Sequence, residues 1–209
     1  MHEPHDLPRY LVPGNSREIG VEVLAHGLPA LPDELTYQMS FPIASWTAGR
    51  CAVVLFLHFR QLDDHMAPLV KIATYFRKGE RWTAHRMWGG IGWHHDPIAH
   101  PGSLRSLGGG VIVTGGGSFD AQAEPGYPAA VRTGRVAPAV KQIALIQDGE
   151  EDRRPLASHF GAWVVCTERT SPFEVNALDE NGVVLHSIPF RGAAADAERR
   201  RARQQQRPG

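Results

Sequence analysis

The chain has 209 residues, 42% of them hydrophobic and 21% charged, with a formal net charge of zero. That composition is globular: it holds enough apolar side chain for one large core or two small ones, and it excludes disorder of the whole chain. The longest apolar run, Cys51 to Leu57, is far too short to cross a bilayer, so no membrane partner is expected.

Charge is unevenly placed. From Arg191 onward six arginines stand against Asp196 and Glu198, a net of +4, which leaves −4 for residues 1–190. A slightly acidic body is a poor match for a phosphate backbone, so contact with nucleic acid or an acidic partner is expected only through the tail. Met1-His-Glu-Pro-His-Asp has neither a basic n-region nor an apolar h-region, and the expected location is cytoplasmic. Cys51 and Cys166 each sit inside an apolar run and read as buried free thiols, small hydrophobes rather than a disulfide.

Gly at 22 and Pro at 16 point to many turns and short strands. Residues 1–45 are punctuated by Pro4, Pro8, Pro13, Pro29, Pro32 and Pro42, which leaves room for one short strand at Ile19–Leu24 in an irregular segment packed on a core. Ala52–Phe59 is a continuous apolar run of strand length, as a fully buried strand requires. Lys71–Arg77 alternates, with Ile72, Thr74 and Phe76 on one face. After the turn Lys78-Gly-Glu80, Arg81–Trp88 returns with Trp82, Ala84 and Trp88 on one face, a hairpin pattern. Residues 89–130 read as loop, with a short strand at Val111–Thr114 between two triple-glycine runs that let it turn sharply at each end.

From Val131 the β pattern strengthens. Val140–Ile146 precedes a turn at Gln147-Asp148-Gly149. Phe160–Cys166 is apolar and β-branched, and Phe173, Val175 and Ala177 alternate inward. Asp179-Glu-Asn-Gly182 turns into Val183–Ile188. Strands every 10–15 residues with no helical period between them predict a mostly β protein, an antiparallel β-sandwich or barrel over residues 46–190. A boundary between two β subdomains, where there is one, falls near 120–130. Residues 191–209 lack large apolar side chains and read as a disordered or solvated helical tail.

The run Val140–Ile146, Asp148-Gly149, Phe160–Val165 and Pro172-Phe-Glu-Val-Asn-Ala-Leu-Asp-Glu-Asn-Gly-Val-Val-Leu185 resembles a β module common in uncharacterised proteins of Gram-positive bacteria. Lys78-Gly-Glu-Arg-Trp82 with Gly89-Gly90 is similar to the same proteins. The resemblance covers roughly residues 70–190, implies an Ig-like or transthyretin-like sandwich, and brings no catalytic residues with it.

Chemistry is best sought at Trp93-His94-His95-Asp96-Pro97-Ile98-Ala99-His100, where imidazoles and a carboxylate in a glycine-flanked loop can converge on a divalent metal. The ligands would be His100, Asp96 and one of His94 and His95, though the spacing matches no zinc signature. His58 and His65 bracket Asp63 and Asp64, an Asp–His combination suited to acid/base work but also to a solvated loop. The glycine runs match neither phosphate-loop nor dinucleotide-loop spacing, and no G-x-S-x-G elbow occurs. Trp82, Trp88 and Trp93 lie within a dozen residues; exposed, Trp88 and Trp93 with His94 would form a platform for a protein or small-molecule ligand, and buried they are core. The first expectation is therefore a non-enzymatic binding protein using loops 89–120. The alternatives are a small metal-dependent enzyme and a regulatory protein acting through its arginine-rich tail.

Overall fold

A computed structural model describes residues 16–31, 35–38, 40–62, 64–92, 111–118, 127–195 and 198–199. The chain is mostly β, and every strand pairing among the described strands is antiparallel. The first sheet runs in order β1 (Phe41–Ala48), β2 (Cys51–Leu62), β3 (His65–Lys78) and β4 (Arg81–Gly92). Next in the chain come β5 (Val111–Ser118), β6 (Ala130–Val136), β7 (Gln142–Gln147), β8 (Glu150–Pro155), β9 (Ala162–Thr167), β10 (Phe173–Leu178) and β11 (Val184–Phe190). They form a three-stranded sheet, β5-β6-β9, and a four-stranded one, β11-β10-β7-β8.

The apolar run of β2 is continuous because its two faces serve two cores. Successive strand side chains point to opposite faces. Cys51, Val53, Leu55 and Leu57 join β1, β6, β7, β9 and β10 in the larger core, while Ala52, Val54 and Phe56 join Ala73 and Tyr75 in a smaller one. The smaller core is closed by a helix, α1 (Ser16–His26), whose Ile19 and Val23 are one turn apart and buried. Gly27, with φ +89°, ends that helix, its amide donating to the Val23 carbonyl. The short strand expected at Ile19–Leu24 is thus a helix, and the N-terminal segment is not wholly irregular. An i, i+4 pair of apolar residues is too sparse a signal to stand out among prolines, and burial against the sheet supplies the stability that propensity does not.

The helix packs where it does because residue 20 has no side chain. A Cβ placed there would lie 1.7 Å from the Tyr75 hydroxyl oxygen, and that hydroxyl donates to the Ser16 carbonyl at 3.1 Å. Gly→Ala inside a helix ordinarily stabilises by up to about 1 kcal/mol. Gly20→Ala is expected to destabilise by about 1–2 kcal/mol instead, because a rigid, buried Tyr75 must move. Urea unfolding checks this; a variant as stable as wild type would contradict the helix placement.

Two bulges reset the faces of β4. Thr74 pairs with Arg86 and Tyr75 with Ala84, so His85 is an extra residue; Gly90 is another, between Gly89 and Ile91. Trp82, Ala84 and Met87 therefore pack toward α1, whereas Trp88 packs on the larger core. This corrects the expectation that Trp82, Ala84 and Trp88 share a face. In β3 the opposite face is buried as well: Ala73 and Tyr75 are as buried as Ile72, since the sheet is covered on both sides.

Gly116 lies inside β5, at φ +134°, where a Cβ would come 2.2 Å from the Val131 carbonyl oxygen. The second glycine run is therefore part of a strand pressed close to β6, not a turn after it. The β7–β8 hairpin turns on Asp148-Gly149, both at positive φ, the geometry whose twist suits a two-residue connection. β8 itself, Glu-Glu-Asp-Arg-Arg-Pro, was not expected. It has no apolar residue before Pro155 and is held by pairing to β7, with Asp152 and Arg154 turned inward and Glu151 and Arg153 outward. The tail begins as a helical turn at residues 192–195, with Ala193 buried and the Ala194 amide donating to the Thr170 carbonyl.

Candidate functional site

Trp93, His94, His95, Asp96 and His100 lie outside the described residues. Among the described residues no group of three His, Cys, Asp or Glu could hold a metal ion, and no helix is long and apolar enough to cross a membrane. Trp88 is half-buried on the larger core. His58 and His65 are not brought together. His65 bonds its neighbour Asp64 at 2.8 Å, both well exposed, and that bond holds the Asp64 carboxyl below its usual range. His58 instead sits 3.1 Å from the hydroxyl of buried Ser40, and burial, helped by Lys71, pushes its pKa down to about 4. A ring held neutral so far below 7 is a weak base, and it reads as packing.

The feature with ligand geometry is a cleft between β1 on one side and the β7–β8 hairpin on the other, with β9 beneath. Arg154 crosses it. Its Nε and Nη2 grip the two oxygens of Asp152 at 2.8 and 2.6 Å, two residues back on the same face of β8. Its Nη1 reaches the Thr47 hydroxyl at 3.0 Å and its Nη2 the Thr47 carbonyl at 2.8 Å, while the guanidinium lies 4.3 Å over the Trp46 ring. Two hollows lie along this cleft, an outer and an inner compartment, and Arg154 lines the inner one.

The outer compartment, about 640 Å³, has Gly49, Glu150, Glu151, Asp152, Glu168 and Arg169 on its walls. Four of these lining groups are carboxylates and one is a guanidinium. Arg169 pairs with Glu150 and reaches Asp148 at 3.4 Å, which holds the guanidinium above its usual range. Glu168 accepts the Arg50 amide at 2.7 Å. Gln147, buried beneath, ties the loop after β9 in place: its carbonyl accepts from Thr167 at 2.5 Å and its amide donates to the Ser171 carbonyl at 2.9 Å.

The inner compartment, about 350 Å³, is different in kind. Trp46, Trp163, Ile143, Leu156 and Val164 supply apolar and aromatic wall, Ser45 a hydroxyl, and Arg154 the one charge among its described lining residues. The indole Nε1 of Trp46 is buried without a hydrogen-bond acceptor among the described residues. Mostly apolar walls with a few placed polar groups, at the meeting of separate sheets, are the usual makeup of a small-molecule site.

No family model, no curated protein and no solved structure matches the chain. The site's identity rests on its own geometry. Sequence reasoning missed Trp46 and Arg154 because each is unremarkable in its local run; what makes them a site is the contact of Arg154 with Trp46 and Thr47, more than 100 residues away in the chain.

Proposed function

We propose that this chain is a non-enzymatic binding protein whose ligand occupies the inner compartment of the cleft. The observation that carries the reading is the hollow of about 350 Å³ bordered by Trp46 and Trp163, in which the one charge among the described lining residues, Arg154, is already locked to Asp152 and Thr47. Such walls offer apolar contact rather than acid/base chemistry, with Pro155, Leu156 and Ala157 as their accessible part, and they favour a neutral, mainly apolar molecule of one or two rings. A surface at Trp88 with Trp93 and His94, the last two outside the described residues, is the competing place for the same function.

The test uses a neutral probe, N-phenyl-1-naphthylamine, whose fluorescence rises in apolar surroundings. A molecule of that size is expected to bind once per chain with Kd on the order of 10–100 µM. Ala157 lines the compartment and is exposed, so Ala157→Phe fills the hollow without disturbing the core. That variant should bind the probe at least about tenfold more weakly. Absence of saturable binding, or binding undiminished in Ala157→Phe, would overturn the assignment.

A further inference from the structure

Behind the cleft wall, the two cysteines meet. Cys51 opens β2 and Cys166 lies in β9, 115 residues apart in sequence, yet their sulfur atoms are 3.6 Å apart, in van der Waals contact. Both are free thiols, 0% and 1% exposed. The contact is built rather than incidental. The residue before Cys51 is fixed to the residue two after Cys166 by the Arg50 amide to Glu168 bond, and the Cys166 thiol lies 3.8 Å from the Trp46 carbonyl. Gly49 makes room for that arrangement, since a Cβ there would lie 2.9 Å from a Glu168 oxygen.

We propose that Cys51 and Cys166 form a reversible intramolecular disulfide, a covalent lock between the first sheet and β9, when the chain folds in the presence of a low-molecular-weight disulfide such as oxidised glutathione. One thiolate attacks a sulfur of the reagent, the reagent's S–S bond breaks, and one reduced glutathione leaves. The second protein thiolate then attacks the sulfur now carrying glutathione and expels the other half. Two protons pass to the solvent and the released thiolates. The protein thiols are oxidised by two electrons and the reagent disulfide is reduced by the same two.

Holding two thiols in contact favours the intramolecular product over a lasting adduct, because the second thiol competes at high effective concentration. Burial shapes the timing. It pushes the Cys166 thiol well above its usual range, so the folded pair reacts slowly with outside reagents. The bond therefore forms as the chain folds, while the end of β2 is open, and is shielded afterwards. Closing so long a loop restricts the unfolded chain more than the folded one.

The experiment starts from the reduced full-length chain in urea, so access does not limit the result. The chain is refolded across a series of reduced-to-oxidised glutathione ratios, quenched with a maleimide, and weighed intact. Wild type should emerge monomeric, lighter by two hydrogens, without a glutathione adduct, with both thiols blocked together and both restored by dithiothreitol. The midpoint ratio should be at least about tenfold more reducing for the folded protein than for the chain kept in urea. The oxidised form should melt higher than the reduced one, and Cys51→Ser and Cys166→Ser should each abolish the cross-link. Two free thiols in folded protein at every ratio, glutathione adducts alone, cross-chain dimers, or an oxidised form that melts lower would each overturn the proposal.

Discussion

Trp163→Ala is expected to destabilise the protein by about 3–5 kcal/mol, which for a chain of this size lowers the melting temperature by roughly 10 °C. Trp163 is 1% exposed and among the largest fully buried side chains. It stands on β9 opposite Gly134 of β6, in the larger core where residues of all three sheets meet. Its removal deletes the transfer energy of an indole and leaves a void beside the inner compartment, where the surroundings cannot close without moving β1 or β7. Val165, Phe173 and Val175 share that core, so their truncation should act in the same direction with smaller effect. A soluble variant with an unchanged melting curve would contradict the placement of β9.

Stability should also fall on mild acidification, and His58 sets the window. The ring titrates near 6.5 in an unfolded chain and near 4 in the folded one, because burial disfavours the imidazolium and Lys71 adds to that. Between those values the unfolded state binds the extra proton. The contribution is therefore complete above about pH 6.5 and is lost progressively as pH falls toward 4. The ring is only partly buried, so the shift is discounted to about 2 kcal/mol over the window. His159, also lowered by burial although its ring bonds the Pro29 carbonyl, adds in the same sense. Urea midpoints measured from pH 7 to 4.5 should drop for wild type and flatten in His58→Gln, which can keep a hydrogen bond to Ser40. An equal slope in both would place the sensitivity elsewhere.

The legible parts of the fold were those whose signal is local. The run at β2, the turns at Asp148-Gly149 and Asp179–Gly182, and the inward set Phe173, Val175 and Ala177 all follow from side-chain period and from glycine's freedom at positive φ. What escaped depends on partners. β8 has a surface composition and becomes a strand because β7 pairs with it, while Arg154 reaches Thr47 of β1. One extra residue at His85 turns Trp88 to the other face, and no spacing rule announces a bulge. α1 is specified by Tyr75, more than 50 residues away, filling the gap over Gly20. The cleft was illegible for the same reason: its defining contact joins Thr47 to Arg154 across 107 residues. The two cysteines were legible as buried thiols, but not as neighbours.

The most direct test of the cleft assignment is to follow the indole N–H resonances of ¹⁵N-labelled protein during titration with N-phenyl-1-naphthylamine, each assigned by a Trp→Phe variant. Trp46 and Trp163 border the inner compartment, whereas Trp82 packs toward α1 on the far side of the first sheet and Trp88 is not in the compartment's lining. The expected result is a saturable shift of the Trp46 and Trp163 signals, with Trp82 unmoved and the Trp46 signal changing most. Shifts confined to Trp82, Trp88 or Trp93, with Trp46 and Trp163 unchanged at saturation, would contradict the assignment and place the ligand elsewhere.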